Sequence, residues 1–150
     1  MVSIATGRER FERADAWLKS LIRPEGGKWA LVGQPWEEKL KRHAANQAAT
    51  LAFLEFVGNP QRALRAVVVV GTAGKGTVTN MIAGLLRETG ANVADHTSPY
   101  LQVPMEKMRL NGRPIRGAEF AESVEELRRH YEAWCALGND LRYGQACAAL

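Results

Sequence analysis

A chain of 150 residues with 46% hydrophobic and 24% charged side chains has the length and apolar content for a domain with its own core, which excludes a disordered tail. The net charge is +4, but lysines and arginines alternate with acids, so the pattern does not point to nucleic acid. Ala66–Val70, the longest apolar run near the central loop, is five residues, far short of a membrane span, and Met1–Arg10 has no apolar signal core. Cys135 and Cys147 lie twelve apart with no C-x-x-C and no paired histidines, as expected of reduced thiols in a cytoplasmic protein.

Residues 8–22 place Phe11, Ala14, Trp17, Leu18, Leu21 and Ile22 at helical spacing, and Pro24-Glu25-Gly26-Gly27 ends that helix. Pro35 precedes a second helix, to about Val57, with a stripe of Trp36, Leu40, Ala44, Gln47, Leu51 and Leu54. Trp17 and Trp36 are expected to be packing residues. Gly58-Asn59-Pro60 is a turn signal.

Val67 to Val70 are four consecutive β-branched residues, which suits a strand buried on both faces of a parallel sheet. The run stops in Gly71-Thr72-Ala73-Gly74-Lys75-Gly76-Thr77, where three glycines let the backbone approach a ligand closely. A helical pattern follows, with Val78, Met81, Ile82, Leu85 and Leu86 on one face. Such a turn offers backbone N–H groups and the positive end of a helix to an anion, and Lys75 adds a full charge. The strict phosphate-loop pattern is not met, because Gly76 separates Lys75 from the hydroxyl of Thr77. Nucleotide phosphate is nonetheless the expected ligand.

Ala91–His96 reads as a second short strand, so strand, helix and strand imply a right-handed βαβ unit. Ser98 then leaves that strand at the sheet edge where ligands bind in open α/β folds. Asn111-Gly112 predicts a hairpin between Met105–Leu110 and Arg113–Arg116. Gly117–Leu137 is the clearest helix, with Phe120, Val124, Leu127, Tyr131 and Trp134 inside and a solvated run of charges outside; Gly138-Asn139 caps it. A last helix begins near Tyr143. Two parallel strands cannot bury a doubly wound core, so the expectation is the front part of a larger α/β domain.

Gly58-Asn59-Pro60-Gln61, the loop at 71–77, Thr97-Ser98-Pro99-Tyr100-Leu101 and Asn111-Gly112-Arg113-Pro114-Ile115, in that order, resemble folylpolyglutamate synthase/dihydrofolate synthase of the Mur ligase superfamily. Ala16–Leu21 is similar to that family's opening helix. The resemblance implies a phosphate-loop type, Mur ligase central-domain-like parallel sheet with flanking helices, of which residues 1–150 would be the N-terminal part, without the C-terminal domain. It implies that Gly71, Thr72, Gly74, Lys75, Gly76 and Thr77 bind ATP, that Lys75 acts in catalysis, and that Thr77 and Ser98 help hold magnesium. The implied reaction joins glutamate to a folate-type carboxylate through an acyl phosphate formed from ATP. The implied partners are small molecules, not nucleic acid or membrane.

Departures from the family's motifs are specific. Ala73 stands where asparagine is usual, and Tyr100 where histidine is common. Gln145 falls at the position of a magnesium-binding glutamate, which leaves two readings, a shifted register or an altered metal site. Two other functions remain beside the folate ligase: a Mur ligase acting on a cell-wall precursor, and a nucleotide-binding regulatory module without catalysis.

Overall fold

The computed structural model of the chain describes residues 6–23, 32–99 and 102–150. The expected stop at Pro24–Gly27, and Tyr100 with Leu101, lie outside the described residues. Helix α1, Gly7–Ser20, opens on a capping box in which Thr6 Oγ1 accepts from the Glu9 amide at 3.3 Å and Glu9 Oε2 accepts from the Thr6 amide at 2.7 Å. Helix α2, Trp36–Phe56, starts directly after Pro35. Helix α3, Lys75–Glu88, begins inside the glycine-rich loop. Helix α4, Gly117–Ala136, ends before Gly138, whose φ of +82° is the left-handed turn that glycine accommodates. Helix α5 is short, Tyr143–Ala149.

The core is helical. Leu18, Phe53, Phe120, Val124 and Leu141 are fully buried, with Ala14, Leu21, Ala121, Leu127 and Ala146 around them. α1 lies along α4, and the Phe11 and Phe120 rings meet at 5.5 Å. Trp134 sets its edge against Phe53 at 5.8 Å, and Trp17 against Tyr131 at 5.5 Å. Burial of each large apolar side chain contributes about 2 kcal/mol, so this cluster supplies the main driving force for folding. Arg10 bridges to Glu125 at 2.8 Å on the rim, and Arg23 to Asp140 at 2.8 Å. Both pairs are solvated and add little.

Beside that core stands a small antiparallel sheet in the order β1-β2-β3, made of Ala94–His96, Met108–Leu110 and Arg113–Pro114. Its hairpin turn has φ of +52° at Asn111 and +79° at Gly112, the mirror-image turn that the Asn-Gly pair favours. Met105 and Ile115 pack the ribbon onto the helical core. α3 rests on β1.

Several expectations need correction. Val67–Val70 form no strand; residues 64–70 run without regular structure, and Val68 and Val70 are more than four-fifths exposed. A strand buried on both faces needs neighbours on both sides, and no described segment supplies them. For the same reason the βαβ unit is not formed: β1 pairs antiparallel with β2, Asp95 opposite Arg109, rather than parallel with the valine run. Along α2 the expected stripe points largely to solvent, with Trp36, Leu40 and Leu51 exposed, while Phe53 and Leu54 are buried near its end. Trp36 is therefore a surface residue here. On α3 most of the apolar stripe shares this fate: Val78, Met81, Leu85 and Leu86 are exposed, Ile82 is half-buried, and Ala83 alone among its residues is buried.

Candidate functional site

The loop at residues 71–77 takes its shape from its glycines. Gly71 has φ of +150° and Gly74 φ of +75°, and Gly74 is the N-cap of α3. Only glycine enters that second region without strain. The Gly74 carbonyl accepts from the Val78 amide at 3.0 Å, which starts the helix. Lys75, Gly76 and Thr77 then occupy its first three positions. Their N–H groups have no acceptor within the helix, and no side chain caps the end. Space beyond Gly74 and Gly76 is open, since a Cβ at either would meet nothing within 4 Å.

Lys75 folds over this loop. Its Nζ donates to the Gly71 carbonyl at 2.8 Å and to the Thr72 carbonyl at 3.3 Å. None of the described ion pairs uses Lys75, so its charge is held on the loop carbonyls rather than cancelled by a carboxylate. An ammonium and the uncapped amides of a helix N-terminus are groups that suit a polyanion. Thr77 and Ser98 are both at least partly exposed, the first in the opening turn of α3 and the second just past β1.

Gln145 stands elsewhere. It is 8% exposed and bonded at both amide atoms: Oε1 accepts from the Arg142 amide at 2.8 Å, and Nε2 donates to the Asn46 carbonyl at 3.2 Å. It thereby caps α5 and ties it to α2. A cleft of about 380 Å³ between these helices is lined by His43, Asn46, Gln47, Thr50, Arg142, Gly144 and Gln145, and none of the loop residues reaches it. Among the described residues no group of three His, Cys, Asp or Glu side chains could hold a metal ion. Hydroxyls such as those of Thr77 and Ser98 suit magnesium, which keeps several waters and takes its other ligands from phosphate.

One group of residues near the site escapes sequence reasoning. Arg109 on β2 donates from Nε and Nη2 to Asp95 Oδ1 on β1, at 2.7 and 2.6 Å, and from Nη2 to Asn80 Oδ1 on α3. Asp95 and Arg109 are 14 residues apart and Asn80 a further 15, so only the antiparallel register brings them together. Nothing in their local pattern marks them.

The fold is shared with part of folylpolyglutamate synthase structures. Over 93% of its length the chain matches the apo form of L. casei folylpolyglutamate synthase with a TM-score of 0.73 at 23% identity, covering 30% of that protein. A folylpolyglutamate synthase structure with AMPPCP and folate matches 93% of the chain with a TM-score of 0.72 at 24% identity, again over 30% of its own length.

In sequence the chain is similar to dihydrofolate synthase/folylpolyglutamate synthase. It is 36% identical to the Bacillus subtilis protein over 89 residues, 59% of this chain and 20% of that one. It is 30% identical to the Mycobacterium tuberculosis protein over 97 residues, 65% of this chain and 20% of that one. The chain thus spans about a fifth of the length of these curated relatives. No protein-family model matches it. Among the described residues no helix is long and apolar enough to cross a membrane.

Proposed function

We propose that residues 1–150 are the N-terminal part of the ATP-binding domain of an ATP-dependent ligase that adds glutamate to a folate-type carboxylate. The observation that carries this reading is a glycine-rich loop on which the Lys75 ammonium is held, leading into a helix whose first amides have no side-chain cap, in a chain whose relatives are named folylpolyglutamate synthases. Gly71, Thr72 and Gly74 shape the loop into a phosphate cradle, and Lys75 is the group that follows charge during phosphoryl transfer. The exposed valine run at 67–70 agrees with a central strand whose neighbours belong to the rest of such a domain.

In this account ATP transfers its γ-phosphoryl group to the acceptor carboxylate, and the glutamate amine displaces phosphate from the acyl phosphate to leave an amide. Thr77 and Ser98 would hold magnesium, which would supply charge neutralisation on the phosphate oxygens. For Gln145 to join that set, its Oε1 would have to release the Arg142 amide. The loop's side chains bind and orient the phosphates; acceptor and glutamate recognition belongs to the remaining length of the ligase. The proposed location is the cytoplasm, in keeping with the free thiols of Cys135 and Cys147.

The test is ADP release that depends on both glutamate and a folate acceptor, in a protein carrying this chain together with the remaining segments of the ligase. The 150-residue chain alone is expected to bind nucleotide and release no ADP. Turnover with a cell-wall precursor instead of a folate would assign the other ligase. Nucleotide binding by the completed protein with no turnover on either acceptor would assign the regulatory module.

A further inference from the structure

α3 carries the phosphate cradle at its first turn, yet it is poorly anchored by apolar contact. It buries only Ala83 and exposes Val78, Met81, Leu85 and Leu86. Its contacts with the ribbon therefore bear on its position, and two stand out, a close approach by Arg87 and a hydrogen-bonded tie through Asn80. At its far end the Arg87 guanidinium lies over the hairpin turn, so close that a Cβ on Gly112 would collide with it. Near its start Asn80 meets the Arg109 guanidinium, which also forks onto Asp95.

The second tie has a particular geometry. Asn80 stands three residues after Thr77, nearly one helical turn, and Asp95 stands three residues before Ser98. One guanidinium thus grips the two elements that present the two hydroxyls, each at the same offset. Asp95 is 8% exposed, and its Oδ2 is buried without a hydrogen-bond partner, so Arg109 is the cation that compensates this carboxylate. A planar fork with five donors serves both partners in a fixed geometry, which the single-point ammonium of a lysine does not reproduce.

We propose that Arg109 is a positioning residue: through Asp95 and Asn80 it fixes the spacing between the α3 cradle and the Ser98 turn, and so sets how strongly magnesium and nucleotide reinforce one another. The proposal rests on the phosphate reading of the loop. It requires no contact between Arg109 and the nucleotide.

The experiment titrates the 150-residue chain with a fluorescent ATP analogue, with and without magnesium, and compares the gain in affinity that magnesium brings. Arg109→Met is expected to cut that gain about tenfold, as loss of an outer-sphere support does at metal sites. Arg109→Lys should restore part of it. Since Arg109→Met also leaves Asp95 without its cation and could unfold the ribbon, Asn80→Ala supplies a second variant. It cuts only the α3 side of the tie, and should lower the gain with unchanged helix content. A role in stability alone would lower the melting temperature and leave the magnesium gain intact. Nucleotide binding with the wild-type magnesium gain in Asn80→Ala and in any folded Arg109 variant overturns the clamp and leaves the loop's role standing. Failure of the wild-type chain to bind the analogue removes the loop reading, and the clamp's function with it.

Discussion

The Lys75 ammonium donates to the Gly71 carbonyl at 2.8 Å, so the lysine closes over the loop that presents it. It is exposed and buries nothing, which separates its contribution to binding from any contribution to folding. Lys75→Ala is expected to weaken Mg-ATP binding by about 2 kcal/mol, roughly thirtyfold, the scale of a charge-assisted hydrogen bond. The melting temperature should stay within about a degree of wild type. Calorimetric titration of both proteins is the check, and equal affinities would take Lys75 out of the site.

The two glycines that open α3 should respond in opposite ways. Gly74 has φ of +75°, so Gly74→Ala is expected to destabilise by about 1–2 kcal/mol through the backbone alone. Gly76 sits in the helix itself, where an added Cβ would meet nothing within 4 Å, so Gly76→Ala should raise stability by about 0.5–1 kcal/mol. In the proposed reading the phosphates lie over this opening turn, so nucleotide affinity should fall although the protein is more stable. Denaturant unfolding paired with nucleotide titration distinguishes the two effects. A Gly76→Ala protein that binds as tightly as wild type would mean the phosphates lie elsewhere.

Gln145 offers a choice between structure and metal. Its amide satisfies the Arg142 amide and the Asn46 carbonyl, and Gln145→Glu removes the donor while setting a carboxylate against that carbonyl. The expected cost is about 1–3 kcal/mol, seen as a lower midpoint in urea. Burial would raise the new carboxyl's pKa, so the deficit should shrink as pH falls and the group protonates. Were Gln145 a metal ligand instead, the same change would tighten magnesium binding, and a magnesium titration of the variant decides between them.

His96 gives a pH signature. Partial desolvation, and secondly the nearby Lys107 charge, hold its imidazole below the usual 6.5, even though part of the ring remains at the surface. A histidine whose folded pKa is depressed favours the native state while neutral. Its contribution is therefore complete above about pH 6.5 and is lost as pH falls through the lower folded value. NMR titration of the ring should give a midpoint below 6.5, and Lys107→Met should raise it only in part, because desolvation is the larger cause. A midpoint at or above 6.5 would contradict this.

Local patterns carried much of the fold into view. The stripe from Phe120 to Trp134 is inward because α4 completes its packing with α1 and α2, both within the chain. Asn111-Gly112 makes its turn because the backbone preference of those two residues decides it alone. Val67–Val70 show where pattern stops being sufficient: a β-branched run states what the segment can pair with, and pairing needs a partner strand. The α2 stripe from Trp36 to Leu51 misled for the same reason, since periodicity marks an apolar face without supplying its cover. In the candidate site, the glycine-rich turn and the start of α3 at Lys75 were legible because contiguous backbone decides them. Asp95, Asn80 and Arg109 were not, since their meeting depends on strand register and helix placement.

The most direct test of the central claim is an amide NMR titration of the chain with magnesium and AMPPCP. The account predicts that the largest shift changes fall on Lys75, Gly76 and Thr77, with smaller ones at Gly74 and Ser98. Changes centred on the α2–α5 cleft around Asn46 and Gln145, with the loop amides unmoved, would contradict it.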